Sequence, residues 1–113
     1  MNEVKAFIRC DKAEAVIDAL ADIGVLKLSV STVKGIGRSI AAESESRYSV
    51  NLTQKYSKIT KLEIVCRSTE TTKIVETLRK AAYSGQQGDG MIYVVPVETA
   101  VKIRTGVYGG DAL

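Results

Sequence analysis

Apolar positions along this chain change their period in a regular order, and that order predicts a fold. Residues 2–9, NEVKAFIR, alternate: Val4, Ala6 and Ile8 fall on one side of an extended segment and Phe7 on the other. Asp11 stands three residues before Glu14, the spacing of a capping box, and predicts a helix start. Val16, Ile17, Leu20, Ala21 and Ile23 recur at helical spacing, and Gly24 follows as a stop. Alternation returns over residues 26–34, LKLSVSTVK, with Leu26, Leu28 and Val30 on one side. The pattern is strand, helix, strand.

The second half repeats it. Residues 61–66, KLEIVC, read as a strand, and Ser68 or Thr69 can cap a helix carrying Ile74, Val75, Leu78, Ala81 and Ala82. Gly85 ends that helix, and residues 91–95, MIYVV, read as a buried-type strand before Pro96. Two βαβ units in series predict an α+β, ferredoxin-like βαββαβ sandwich over a single domain, residues 1–113, with an antiparallel sheet and both helices on one face. Between the halves, residues 37–58, GRSIAAESESRYSVNLTQKYSK, lack core periodicity, and a segment of that length in a compact domain points to a functional loop. Tyr48, Val50, Leu52 and Tyr56 are spaced like a hairpin arm, which predicts that part of the segment extends the flanking strands. Apolar residues on an exposed arm suit contact with a partner.

Composition narrows the class. The 113 residues include no Trp, one Phe and five Tyr, so the core must be filled by Val, Ile, Leu and Ala. A core that thin suits a protomer that buries more surface against other subunits. Sixteen Lys and Arg face thirteen Asp and Glu, a net charge of +3 with no basic block, which argues against a nucleic-acid binder. No apolar run approaches the length of a membrane span, and the first residues, MNEVKAFIRCDKAEAV, carry charge too often for a signal peptide. With two cysteines only, the expected location is the cytoplasm. Histidine is absent, which removes the commonest metal ligand and the commonest general base. No nucleophile–base pair or catalytic carboxylate pair is readable, so no catalytic residue and no metal site are expected. Cys10 and Cys66 end strands that run antiparallel in the expected fold, too far apart for a disulfide.

Two clusters carry candidate chemistry. Gly85, Gly88 and Gly90 leave backbone amides unshielded, so phosphate oxygens can approach them closely. Asp89 among them repels phosphate and is expected to fix the turn, or to hold a ribose or a partner's backbone. Lys102 and Arg104, two apart on a segment read as extended, leave one face together and can neutralise a polyphosphate. Arg38 can add a third charge.

Three segments then resemble the PII family of nitrogen-regulatory proteins. They are Val33-Lys34-Gly35-Ile36-Gly37-Arg38, the run from Ser84-Gly85 through Gly88-Asp89-Gly90 to Met91-Ile92-Tyr93, and Val97-Glu98-Thr99-Ala100-Val101-Lys102-Ile103-Arg104-Thr105-Gly106. They stand in family order at nearly family spacing, and the resemblance covers essentially the whole chain. It implies a homotrimer with clefts between neighbouring subunits. Each cleft would bind ATP or ADP, and the long loop over 37–58, the T-loop, would dock onto a target transporter or enzyme. Carried over by position, the cleft takes Phe7, Ser29, Gly35, Gly37 and Arg38 from one part, Glu63 and Val65 near the base, and Gly88, Asp89, Gly90, Lys102 and Arg104 around the phosphates.

The sequence departs from the family in places that bear on ligand. Met91 stands where the family carries Lys or Arg, and losing one charge-assisted contact costs about 1.5–3 kcal/mol unless another cation replaces it. Binding is then weaker, shifted toward fewer phosphates so that AMP enters as an alternative, or compensated by Arg38. Ser39 stands where the family has the glutamine that helps hold magnesium and 2-oxoglutarate, and its short hydroxyl argues against both. The family's loop lysine falls on Lys58 when counted from the front and on Ile59 when counted back from Glu63. Asn51 stands where some members carry a modified tyrosine, and Tyr48 does not inherit that role. Cys66-Arg67, the nonbasic residue after Gly-Asp-Gly, and the Val-Glu-Thr-Ala-Val ending are similar to PII-like proteins linked to transport systems, including metal-efflux pumps. Two other functions compete with the nucleotide-sensing regulator: a slow ATPase in the same cleft, and a sensor of another small ligand, an anion or a metal, for a transport system.

Overall fold

The computed structural model describes residues 1–36 and 56–113, except the side chains of Tyr56 and Ser57. Strand β1 spans Asn2–Arg9, helix α1 Ala13–Asp22, β2 Ser29–Ile36, β3 Tyr56–Cys66, helix α2 Thr71–Ala82 and β4 Met91–Pro96. One sheet has the order β2-β3-β1-β4, with every neighbouring pair antiparallel. This is the expected ferredoxin-like α+β arrangement. No helix among the described residues is long and apolar enough to cross a membrane.

The alternation in β1 decides which face is covered. Val4, Ala6 and Ile8 are buried, and so are Leu62, Ile64 and Cys66 on β3. Val16 and Leu20 of α1 and Ile74, Leu78 and Ala82 of α2 close over them in a single core cluster. Burying each Val, Leu or Ile of this cluster contributes about 1.5–3 kcal/mol. Among the described residues no helix lies against the other face of the sheet.

The helix ends carry several corrections. Asp11 does not form a capping box: Cys10–Lys12 make a 3-10 turn, and α1 starts beyond it without a side-chain cap. Ser68 and Thr69 do not cap α2 either, because Ser68–Glu70 form a second 3-10 turn. The Ser68 hydroxyl instead accepts a hydrogen bond from the amino terminus of Met1 at 3.2 Å. Gly24 stops α1 as expected. At φ +92° it lets its own N–H reach Ala21 O at 3.0 Å and the Val25 N–H reach Leu20 O at 3.0 Å, the paired bonds of a Schellman end. Gly85 does not end α2, which stops at Ala82 where Tyr83 turns extended. Ala21, read on the apolar face of α1, is exposed.

Three strand readings also change. The chain over 25–28 is not strand, and Leu26 is 86% exposed, because the Schellman turn spends those residues reaching the sheet edge. Val30 is in β2 but 52% exposed, since β2 lies at the edge of the sheet. The buried-type strand at residues 91–95 is also an edge: Met91, Tyr93, Val94 and Val95 are 44–56% exposed, and only Ile92 packs against the core. The last three residues of the 37–58 segment belong to β3, because the ladder with β2 continues through Gly35↔Ser57 to Ile36↔Tyr56. The rest of that loop, with Ser39, Tyr48 and Asn51, lies outside the described residues.

Candidate functional site

The glycine turn between α2 and β4 is built around one carboxylate. Asp89 Oδ2 accepts hydrogen bonds from the backbone N–H groups of Ser84 and Gly85, each at 2.9 Å. Its Oδ1 accepts from the Ser84 hydroxyl and, at 3.0 Å, from Arg9 Nε. Arg9 also donates from Nη2 to the Gln87 carbonyl at 2.6 Å. Of the roles expected for Asp89, fixing the turn is the one its contacts display. Gly90 turns the chain into β4 at φ +102° against the backbone of Phe7, where no side chain has room.

These bonds lower the Asp89 pKa well below the usual carboxylate range. The Ser84 hydroxyl has the largest effect, then the Ser84 N–H, with smaller contributions from Arg9 and Gly85, against a partial desolvation that raises it. Unfolded, the carboxyl takes up a proton near its ordinary value of 3.8; folded, it holds off to lower pH. Its stabilising contribution is therefore complete at neutral pH. It starts to drain as pH falls below that ordinary value and is gone once the folded group protonates. Denaturant midpoints for Asp89→Asn measured from pH 7 to pH 2 are expected to start lower than wild type and converge on it at the acid end. Parallel curves would show that the ionised carboxylate contributes nothing.

Cross-strand register sorts the remaining expected residues. Side chains opposite each other in a ladder share a face, so Glu3, Lys5, Phe7 and Arg9 lie on the open face with Lys61, Glu63 and Val65 of β3, Ser29 and Gly35 of β2, and Met91 and Tyr93 of β4. Ser29 is directly opposite Glu63, and Glu63 is directly opposite Lys5. Glu63 pairs with Lys61 at 3.0 Å. Phe7 meets Tyr93 edge-on, with ring centroids 6.0 Å apart, and the Lys61 ammonium lies 5.8 Å from the Phe7 centroid. Phe7 is thus outside the helix-covered core. Gly35 lies six residues beyond Ser29, about 20 Å along β2. Of the two residues considered for the loop lysine, Lys58 lies opposite Lys34, and Ile59 is half-buried opposite Val33. Gly37 and Arg38 lie outside the described residues.

Lys102 and Arg104 are not on an extended segment. Val101 bridges Tyr108, the Lys102 N–H donates to Val107 O at 2.9 Å, and the Gly106 N–H donates to Lys102 O at 2.7 Å, with Gly106 at φ +73°. The two cations therefore sit in a tight turn, with Ile103 between them 99% exposed. This hairpin is fastened to the end of the sheet away from the glycine turn. The Val97 N–H donates to Met1 O at 3.0 Å, the Gly109 N–H to Ala100 O at 2.8 Å, and Arg67 Nη2 to Gly110 O at 3.0 Å.

Within one chain, then, the expected site is divided. Phe7, Asp89 and Gly90 line a depression of about 370 Å³ together with Arg79, Tyr83 and Met91. Val65 lines a separate one of about 530 Å³ beside Lys27, Arg67 and Lys73. Lys102 and Arg104 line neither. Arg9 and Ser84 were missed in the sequence, although Arg9 continues the Phe7 face of β1 by two residues. Among the described residues no group of three His, Cys, Asp or Glu could hold a metal ion. Cys66 is buried opposite Asn2, while Cys10 is exposed beyond Arg9, at the other end of β1.

Comparison with known proteins finds similarity along the length of the chain. The family model for nitrogen regulatory protein P-II matches residues 1–107. The chain is similar to nitrogen regulatory protein GlnK2 of Haloferax mediterranei, 40% identical over 97% of this chain and 89% of that one. It is 34% identical to nitrogen regulatory protein P-II of Azospirillum brasilense over the whole of both chains. It is also 39% identical to nitrogen regulatory protein P-II 1 of Methanothermobacter thermautotrophicus, over all of this chain and 97% of the other.

Proposed function

Since the chain belongs to the P-II family of nitrogen regulatory proteins, whose members are signal-transduction regulators, we propose that it binds an adenine nucleotide between neighbouring copies of itself and governs a transporter or an enzyme through its 37–58 loop. One observation carries this reading. The glycine turn and the Lys102–Arg104 hairpin are fastened to opposite ends of one chain's sheet. A second copy can bring one chain's cations to the other's amides. The exposed apolar residues of β4 supply surface for such an association, and the family's arrangement is a homotrimer.

In this reading the turn amides and Lys102 and Arg104 receive the phosphates, and Ser29, Glu63 and Val65 lie toward the base. Gly35 and the loop entry at Gly37 and Arg38 link the cleft to the loop. Gly35 is the last residue but one of β2, and its partner Ser57 is the second residue of β3, so a ligand touching Gly35 pulls on both stems of the loop. Regulation requires that the nucleotide bind two loop states with different affinity, since only that difference shifts their populations. ATP and ADP are the expected ligands, with AMP behind them.

Calorimetry of the purified protein with ATP, ADP, AMP and bicarbonate tests the reading, together with limited proteolysis of the loop in each. The expected result is about one ATP or ADP bound per chain, with a nucleotide-dependent change in cleavage between residues 37 and 58. Bicarbonate binding without any adenylate binding would instead favour a sensor of small anions.

A further inference from the structure

The glycine turn presents an electrostatic difficulty of its own. Asp89 sits between Gly88 and Gly90, and an anion approaching their amides meets its negative charge. Ser84 and Gly85 fix that carboxylate with hydrogen bonds, which add no formal charge. Met91, next in the chain, is exposed and carries none.

We propose that Arg9 is the cation that makes this turn receptive to phosphate, neutralising Asp89 and holding a guanidinium against Gly88 in place of the charge that Met91 lacks. The proposal rests on the nucleotide reading above and assigns a residue to it. Arg9 reaches across from the end of β1 and bonds Asp89 and Gln87 at once, so its positive charge is held at the turn. Its Nη2 lies so near Gly88 that a Cβ added there would stand 3.2 Å away. The positive charge therefore borders the glycine whose amide is to meet the ligand. Among the described residues Nη1 has no hydrogen-bond partner, which leaves donors for a phosphate oxygen. Arg79 lines the same depression, but no ion pair among the described residues joins it to Asp89.

Calorimetric titration of the full chain with ATP, ADP and adenosine tests this on wild type, Arg9→Gln, Arg9→Lys and Arg9→Gln combined with Asp89→Asn. Arg9→Gln is expected to weaken ATP binding about tenfold or more, ADP less, and adenosine hardly at all, the scale of one lost charge-assisted contact. Arg9→Lys should keep most of the preference for ATP over adenosine. Removing the Asp89 charge in the Arg9→Gln protein should return part of the lost ATP affinity. A residue that only braced the turn would weaken all three ligands alike and would not be rescued by Asp89→Asn; that outcome overturns the proposal. Unchanged ATP affinity in Arg9→Gln overturns it while leaving the nucleotide reading intact. Wild-type protein that binds none of the three ligands overturns both. Should Arg9→Gln fail to fold, Arg9→Lys decides: loss of the ATP preference in that folded variant counts against the proposal.

Discussion

Gly90→Ala is expected to destabilise the fold by about 3 kcal/mol or more, a large part of the total stability of a domain this size. Two costs combine. At φ +102° a residue with a Cβ is strained wherever it sits, and here the added carbon also collides with the Phe7 carbonyl oxygen and stands 2.9 Å from its carbon. The obstacle is backbone of the central strand β1, which cannot swing aside as a side chain would. Gly24→Ala separates the two costs, because Gly24 has a similar φ of +92° and nothing within 4 Å of its added Cβ. It should lose only about 1–2 kcal/mol. Urea midpoints at unchanged slope measure both. Equal losses in the two variants would mean that the close approach of Gly90 to β1 contributes nothing.

Lys102→Ala combined with Arg104→Ala is expected to weaken ATP binding by about a hundredfold to ten-thousandfold, corresponding to about 3–6 kcal/mol for two charge-assisted contacts. The fold should be unaffected, because the hairpin is closed by backbone bonds from Lys102, Gly106 and Gly109 that alanine keeps. Subunit mixing makes the test specific to a shared cleft. A second variant, Gly88→Ala, damages the turn, since Gly88 has φ +99° and Arg9 lies 3.2 Å from the added Cβ. Neither variant alone should bind ATP well. Assemblies formed from both should regain binding wherever an intact turn meets an intact hairpin from the neighbouring copy. No regain on mixing would place both sets of contacts in one chain and remove the argument for an inter-subunit site.

Much of the fold was legible because it rests on local periods. Val4, Ala6 and Ile8 alternate and are buried; Ile74, Leu78 and Ala82 recur at helical spacing and are buried. Leu26 and the exposed side chains of β4 were misread because periodicity reports what a residue suits, whereas burial depends on whether another element covers it. The capping pattern at Asp11 failed for a related reason. The backbone satisfied the helix start with a 3-10 turn, leaving that carboxylate without a capping bond. The candidate site was half legible: the glycines, Ser84 and Asp89 stand together in the chain, but Arg9, which bonds Asp89, is distant in it.

The amino-acid order alone determined the succession of strands and helices, the side of each that is apolar, and the glycines that permit the turn before β4. These are properties of neighbouring residues, set by side-chain period and backbone sterics. Tertiary structure decided that Arg9 holds Asp89 from 80 positions away, that Ser68 receives the amino terminus rather than capping a helix, and that Lys102 and Arg104 occupy a tight turn far from the glycines. Each of these depends on strand register and on where a distant segment is fastened, which no local pattern encodes.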